Sequence, residues 1–215
     1  MFIAAAAAAL AVSCVGQGPG NPSGPASKTE EAGVIEMKPG EYETAVLGGG
    51  CFWCLEGAYE IVPGVVDVEN GYAGGGRANP TYEQVGTGLT GHAEVVKITF
   101  DPKMVGYAEL LDLFWKIHDP TTLNRQGADV GPQYRSIILY SGPEQEAAAR
   151  ASIEKAAPSF RNPIVTELKP LETYWKAEEY HQDYFRRNPN QGYCQIVVAP
   201  KVEKAKEWIG TQGRP

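Results

Sequence analysis

Two cysteines, Cys51 and Cys54, stand three residues apart behind three glycines in GGGCFWCLEGAYE, residues 48–60. That spacing serves a redox pair, a metal knuckle, or one working thiol with a bystander. A glycine-rich turn feeding a helix lets backbone approach closely and leaves free N–H groups aimed at whatever sits there. The helix dipole favours a thiolate at that point, so the pKa of Cys51 is expected to fall and its nucleophilicity to rise. The alternative is an inert cysteine in a tight turn. Three consecutive glycines are costly unless backbone access matters, which favours the reactive reading. Phe52 and Trp53 supply an apolar wall beside it. Cys54 shares a helix face with Cys51 and reads either as a redox partner or as a small apolar residue of the first turn. A zinc site needs more ligands, and His92, His118 and His181 show no paired spacing, so no metal is expected.

A reactive thiol gains from an acid. In GLTGHAEVVKITF, residues 88–100, alternate strand positions share a face, so Glu94 points the same way as Val96, Ile98 and Phe100. That set must face the core, which turns a carboxyl group inward. Desolvation then raises its pKa and keeps it protonated, ready to donate. Fraying near Gly91 would instead leave Glu94 in water. Tyr82 and Tyr134 each follow a turn-like segment, where a hydroxyl could reach a ligand, and Asp129 in QGADVG is ambiguous by itself. Cys194, in RRNPNQGYCQ, reads either as a resolving thiol on a mobile loop or as a buried residue beside an Ile196-Val197-Val198 strand.

The elements that must position these residues follow from periodicity. Strands are expected over 44–47, 65–72, 91–100, 136–140 and 164–168. Helices are expected over 52–59, 107–117, 143–157 and 176–187. The tail QGYCQIVVAPK reads as loop and a short apolar stretch. Tyr174, Trp175, Tyr180, Tyr184 and Phe185 read as packing. Mixed strands and helices without a strict βαβ rhythm point to an α+β fold.

The chain has 215 residues, a formal net charge of -7 and no run of Lys or Arg, which argues against nucleic-acid binding and against attraction to an anionic membrane. Four cysteines are too few for a disulfide-built scaffold of this length. Residues 1–40 read as a leader and flexible linker. MFIAAAAAALAVSC has the length of a signal-peptide core and is too short to span a bilayer. It also resembles a lipoprotein signal with Cys14 as the lipidated residue, which would tether the protein to a membrane. A simple signal peptide or a mis-assigned start are the alternatives. Export to the periplasm or a membrane anchor is therefore expected, with a catalytic domain over 41–210 and a tail over 211–215.

Four motifs carry a family resemblance. Gly50-Cys51-Phe52-Trp53, Gly91-His92-Ala93-Glu94 leading to Phe100-Asp101-Pro102, Gly131-Pro132-Gln133-Tyr134-Arg135-Ser136 and Tyr180-His181-Gln182-Asp183-Tyr184 occur in that order within 44–200. Together they resemble the A-class peptide methionine sulfoxide reductases. The resemblance implies a ferredoxin-like two-layer sandwich core with long coil connections, and reduction of methionine-S-sulfoxide, free or in proteins. By the same resemblance, Cys51 would attack the sulfoxide sulfur and Glu94 would protonate its oxygen, with Tyr82 and Tyr134 hydrogen-bonding to it. Phe52 and Trp53 would receive the substrate methyl group, and Asp129 would support the site near Tyr134. Cys51 would become a sulfenic acid and Cys194 would resolve it as a disulfide, with Cys54 as the alternative resolving thiol. No bound cofactor is implied; thioredoxin or a thioredoxin-like protein would be the reductant. Two other readings stay open: a thioredoxin-like disulfide oxidoreductase using Cys51 and Cys54, and a tethered binding module for an oxidised or methylated ligand.

Overall fold

The computed structural model describes residues 41–213, so the expected leader, Cys14 and the last two residues of the tail lie outside the described residues. In chain order the elements are β1 (Glu43–Gly49), α1 (Phe52–Tyr59), β2 (Val65–Ala73), α2 (Tyr82–Gly86), β3 (Ala93–Phe100), α3 (Tyr107–Ile117) and the short pair β4 (Arg125–Gln126) and β5 (Asp129–Val130). Then follow β6 (Ser136–Tyr140), α4 (Pro143–Ala156), β7 (Glu167–Pro170), β8 (Tyr174–Lys176), α5 (Tyr184–Arg187) and α6 (Ala199–Thr211).

Six strands form one mixed sheet in the order β7-β6-β1-β3-β2-β8, with only the β6–β7 pair parallel. Strand alternation sorts its side chains cleanly. Ala45, Leu47, Val96, Ile98, Phe100 and Ile138 join the main core beneath the helices. Val46, Val95, Ile137 and Leu139 build a smaller cluster on the opposite face. The main core is completed by the apolar stripe of α3, with Leu110, Leu111, Phe114 and Ile117 all buried, and by α1 and α6. Burying a Leu or Phe side chain of this kind is worth about 1.5–3 kcal/mol. Glu94 has the parity of Val96 and Ile98, so it faces the helices.

Three expected elements differ. The strand expected over 164–168 begins at Glu167 instead, because the Val165 amide donates to the Pro120 carbonyl (2.8 Å) and holds the chain off the sheet. The helix expected over 176–187 is β8, a single turn at Glu179–His181 and the four-residue α5. Tertiary partners override its propensity: Gln182 accepts from the Asn70 amide and donates to the Asn70 and Ala177 carbonyls, and Asp183 sits at φ +54. The apolar stretch after Cys194 is no strand. Cys194–Val198 is a wide helical turn running into α6, with Pro200 in its first turn where a missing N–H is harmless. Cys194 is therefore buried at a helix entrance rather than carried on a swinging loop.

Candidate active site

The thiol is positioned by the sheet. β1 runs between β3 and β6 so tightly that a Cβ at Gly48 would lie 2.8 Å from the Glu94 carbonyl oxygen and 2.8 Å from Ile137 Cγ2. Gly50, at φ +99, then turns the chain against Gln126 and delivers Cys51 to the N-cap of α1. Only a residue without a Cβ takes that turn easily.

Glu94 reaches the same point from the neighbouring strand. Its Oε2 accepts the Phe52 amide (3.1 Å), the first free N–H of α1, and the residue is 2 % exposed. Burial raises its pKa to about 8, helped by the nearby charges of Asp129 and Cys54 and opposed by the Phe52 hydrogen bond. A carboxyl group in this setting is mostly neutral near pH 7. Burial and the charges of Glu94 and Cys51 push Tyr82 up to about 12, and burial, Glu94 and Tyr82 push Tyr134 up as well. Both hydroxyls therefore stay protonated and can donate.

The thiol pair departs from expectation. Cys51 is pushed up, first by burial, then by the neighbouring Cys54, then by the charge of Glu94. Cys54 is lowered to about 7 by the neighbouring Cys51 and by the Lys201 ammonium, against its own burial. Of the two thiols, Cys54 ionises the more readily. The helix dipole alone does not outweigh desolvation at a residue 6 % exposed. Cys54 is also buried in the main core, and Cys194, raised by burial and by the charge of Cys54, lies within electrostatic reach of it. All three are free thiols.

Aromatic rings wall the site. Phe52 lies 5.0 Å from the His181 ring and 5.9 Å from Tyr72; Trp53 stacks on Tyr184 at 3.6 Å and meets Tyr193 edge-on at 5.9 Å. His181, 4.4 Å from Tyr82, joins this aromatic cluster. An aromatic wall of this kind suits a small thioether or sulfoxide methyl group beside the polar pair.

The comparisons match this arrangement. The family model described as "Peptide methionine sulfoxide reductase" matches residues 43–212. The chain belongs to the peptide methionine sulfoxide reductase family. A relative named peptide methionine sulfoxide reductase MsrA from Nautilia profundicola is 62% identical over 160 residues, 74% of this chain and 92% of that protein. Among solved structures, methionine sulfoxide reductase A of Corynebacterium diphtheriae is similar with a TM-score of 0.70 and 40% identity, covering 74% of this chain and 80% of that one. Reduced Mxr1 of Saccharomyces cerevisiae has a TM-score of 0.70 and 35% identity, covering 73% and 91%. Its complex with Trx2 is similar at 0.51 and 26%, covering 70% and 89%.

Within this family member, several site residues carried no clear sequence signal. The Tyr193 hydroxyl donates to Asp129 Oδ2 (2.8 Å), and its nearness works to lower the Cys51 thiol. Asp129 is thus tied to Tyr193, while its charge is also felt at Tyr134. Tyr184 belongs to the aromatic wall rather than to packing alone. Glu56, two residues past Cys54, accepts from the Asp183 and Tyr184 amides (2.6 and 2.9 Å) and from Asn70 Nδ2 (2.7 Å), which ties α1 to that wall. Glu56, Glu60 and Asp183 offer oxygens within 4.8 Å of one another. The donors on Glu56 and the Arg186 ion pair on Asp183 account for that cluster without a cation.

Proposed function

We propose that this protein reduces the S epimer of methionine sulfoxide, in oxidised proteins or as the free amino acid, and so repairs oxidative damage. One observation carries the reading: a neutral, buried carboxyl group at position 94, hydrogen-bonded to the helix tip that presents Cys51. A sulfoxide oxygen leaves poorly until protonated, so acid and nucleophile must share one site. Cys51 attacks the sulfoxide sulfur while Glu94 protonates the oxygen, and Tyr82 and Tyr134 donate hydrogen bonds to it. The Cys51 proton passes to the neighbouring Cys54. The protonated oxygen transfers from the substrate sulfur to Cys51 Sγ as the S–S bond just formed breaks; methionine leaves with the electron pair and Cys51 is left as a sulfenic acid. Phe52 and Trp53 hold the methyl group, and Asp129 with Tyr193 steadies the thiol side.

Cys54 is proposed as the first resolving thiol, with Cys194 behind it, because it lies on the first turn of the helix that Cys51 caps, its amide donating to the Cys51 carbonyl (3.1 Å), and it ionises more readily than Cys51. The solved complex of Mxr1 with Trx2 supports a thioredoxin-type reductant for the resulting disulfide. The β6-β1-β3-β2 order, with helices crossing between β1 and β2 and between β3 and β6, supports reading the core as ferredoxin-like. The test is one turnover without reductant, with methionine quantified and disulfides mapped by mass spectrometry. Cys51→Ser is expected to form no methionine, and the parent protein to hold a Cys51–Cys54 bond. Methionine formation by the variant would refute the first role, and a Cys51–Cys194 bond alone would remove Cys54 from the cycle.

A further inference from the structure

Tyr82 is the first residue of α2, a five-residue helix in the long connection between β2 and β3. The bonds that cap α2 are local: Thr81 accepts from the Gln84 amide, and the Gln84 side chain accepts from the Thr81 amide. Its place against the sheet must therefore be set from outside. Val85 is buried in the main core, and among the described residues two side chains from elsewhere hydrogen-bond to α2. Gln133 Nε2 donates to the Gly86 carbonyl (3.3 Å), and the Tyr82 amide donates to Glu178 Oε1 (2.9 Å). The second bond holds the residue whose hydroxyl serves the sulfoxide oxygen.

Glu178 is itself anchored. Its other oxygen, Oε2, accepts the Tyr72 hydroxyl (2.8 Å), and Tyr72 is fully buried on β2 directly opposite Glu94 on β3. Cross-strand partners share a face, so the Tyr72 ring lies on the Glu94 side of the sheet, 5.9 Å from Phe52. One residue earlier, the Ala177 amide donates to the Asn70 carbonyl (2.9 Å) and fixes that backbone to the same strand. Burial works to raise the Glu178 carboxyl, but the Tyr82 amide, its own amide and the Tyr72 hydroxyl outweigh it and hold the group below the usual carboxylate range. His181 also meets the Tyr82 ring at 4.4 Å, yet its ring nitrogens make no hydrogen bond and give it no directional hold.

We propose that Glu178 is a positioning residue of the reduction step: one carboxylate bridges the Tyr72 hydroxyl to the Tyr82 amide and so sets Tyr82 relative to Glu94. The inference rests on the reading of Tyr82 as a hydrogen-bond donor to the sulfoxide oxygen. Glu178 takes no part in the chemistry and acts only through Tyr82. A donor misplaced by about 1 Å costs up to about 10²-fold in rate.

A double-mutant cycle on the single-turnover rate of methionine formation, at saturating methionine-S-sulfoxide, tests this. Tyr82→Phe is expected to slow the step at least about tenfold, Tyr134 still donating. Glu178→Ala is expected to slow the parent protein by about tenfold as well. In the Tyr82→Phe background the same change should cost less than about twofold, because no hydroxyl is left to place. A generally loosened fold would slow both proteins alike. Glu178→Gln should recover most of the rate, its carbonyl oxygen accepting the Tyr82 amide and its NH₂ donating to the Tyr72 oxygen. Tyr72→Phe gives a second cycle that serves even if Glu178→Ala does not fold. It keeps the ring against Phe52, and its slowing of about threefold should be confined to protein that retains Tyr82. Additive losses in either cycle, Glu178→Ala at the parent rate, or Glu178→Gln no faster than Glu178→Ala overturns the assignment of Glu178. Parent-rate turnover by Tyr82→Phe overturns the reading of Tyr82 instead, so the two failures are distinct.

Discussion

Replacing Glu94 by glutamine separates the two consequences of burying an acid. The carboxyl titrates at about 8 in the folded protein, against about 4.3 in an unfolded chain. Between those values the folded state binds the extra proton. The stability it confers is fully present below about pH 4.3, drains as pH rises, and is gone above about pH 8. At about 1.36 kcal/mol per pKa unit, that difference amounts to on the order of 5 kcal/mol across the window. Glutamine still accepts the Phe52 amide but buries an NH₂ group without the solvent it had, at a cost of about 1–3 kcal/mol. The variant should therefore be more stable than the parent by roughly 2–4 kcal/mol at pH 8 and no more stable at pH 4. Its single-turnover rate of methionine formation should fall by about 10²–10⁴, the usual worth of a positioned acid. Denaturant midpoints measured from pH 4 to 8.5, beside quenched turnover on methionine-S-sulfoxide, test both halves. A stability difference that does not change with pH, or near-normal turnover, would refute the argument that burial keeps this acid neutral and that the neutral acid does the chemistry.

Tyr193→Phe keeps the ring against Trp53 but removes the hydroxyl that reaches Asp129 and Cys51. Stability should change by no more than about 1.5 kcal/mol, while the rise of methionine release with pH moves to higher pH; an unmoved profile contradicts the role. Gly48→Ala forces a methyl group to within 2.8 Å of strand backbone on one side and Ile137 on the other. The expected cost is about 1–3 kcal/mol in a denaturant titration, and a variant as stable as the parent would show that the sheet gives way there.

Glu94 was legible because strand alternation is local: three apolar neighbours of equal parity fix which way a carboxyl group points. The helix of α3 was legible for the same reason, its Leu110, Leu111, Phe114 and Ile117 stripe needing no distant partner. The segment 176–187 was not, because its backbone bonds are taken by Asn70 and Glu56, residues more than 100 positions away. The last helix did leave a trace. Cys194, Val198, Val202, Ala205 and Trp208 recur every three or four residues and all are buried, whereas Ile196 is 77 % exposed, the reverse of a core strand. The protonation of the thiol pair could not be read at all, since it depends on burial and on neighbouring charges that come together only after folding.

Two distant stretches of the chain meet around the tip of α1. Glu94 and Phe52 are fixed there by a central strand and one amide hydrogen bond, whereas Tyr193 and Cys194 arrive with the final helical segment. Substitutions in that last segment can therefore alter the phenol that holds Asp129 while the strand-borne carboxyl group keeps its place.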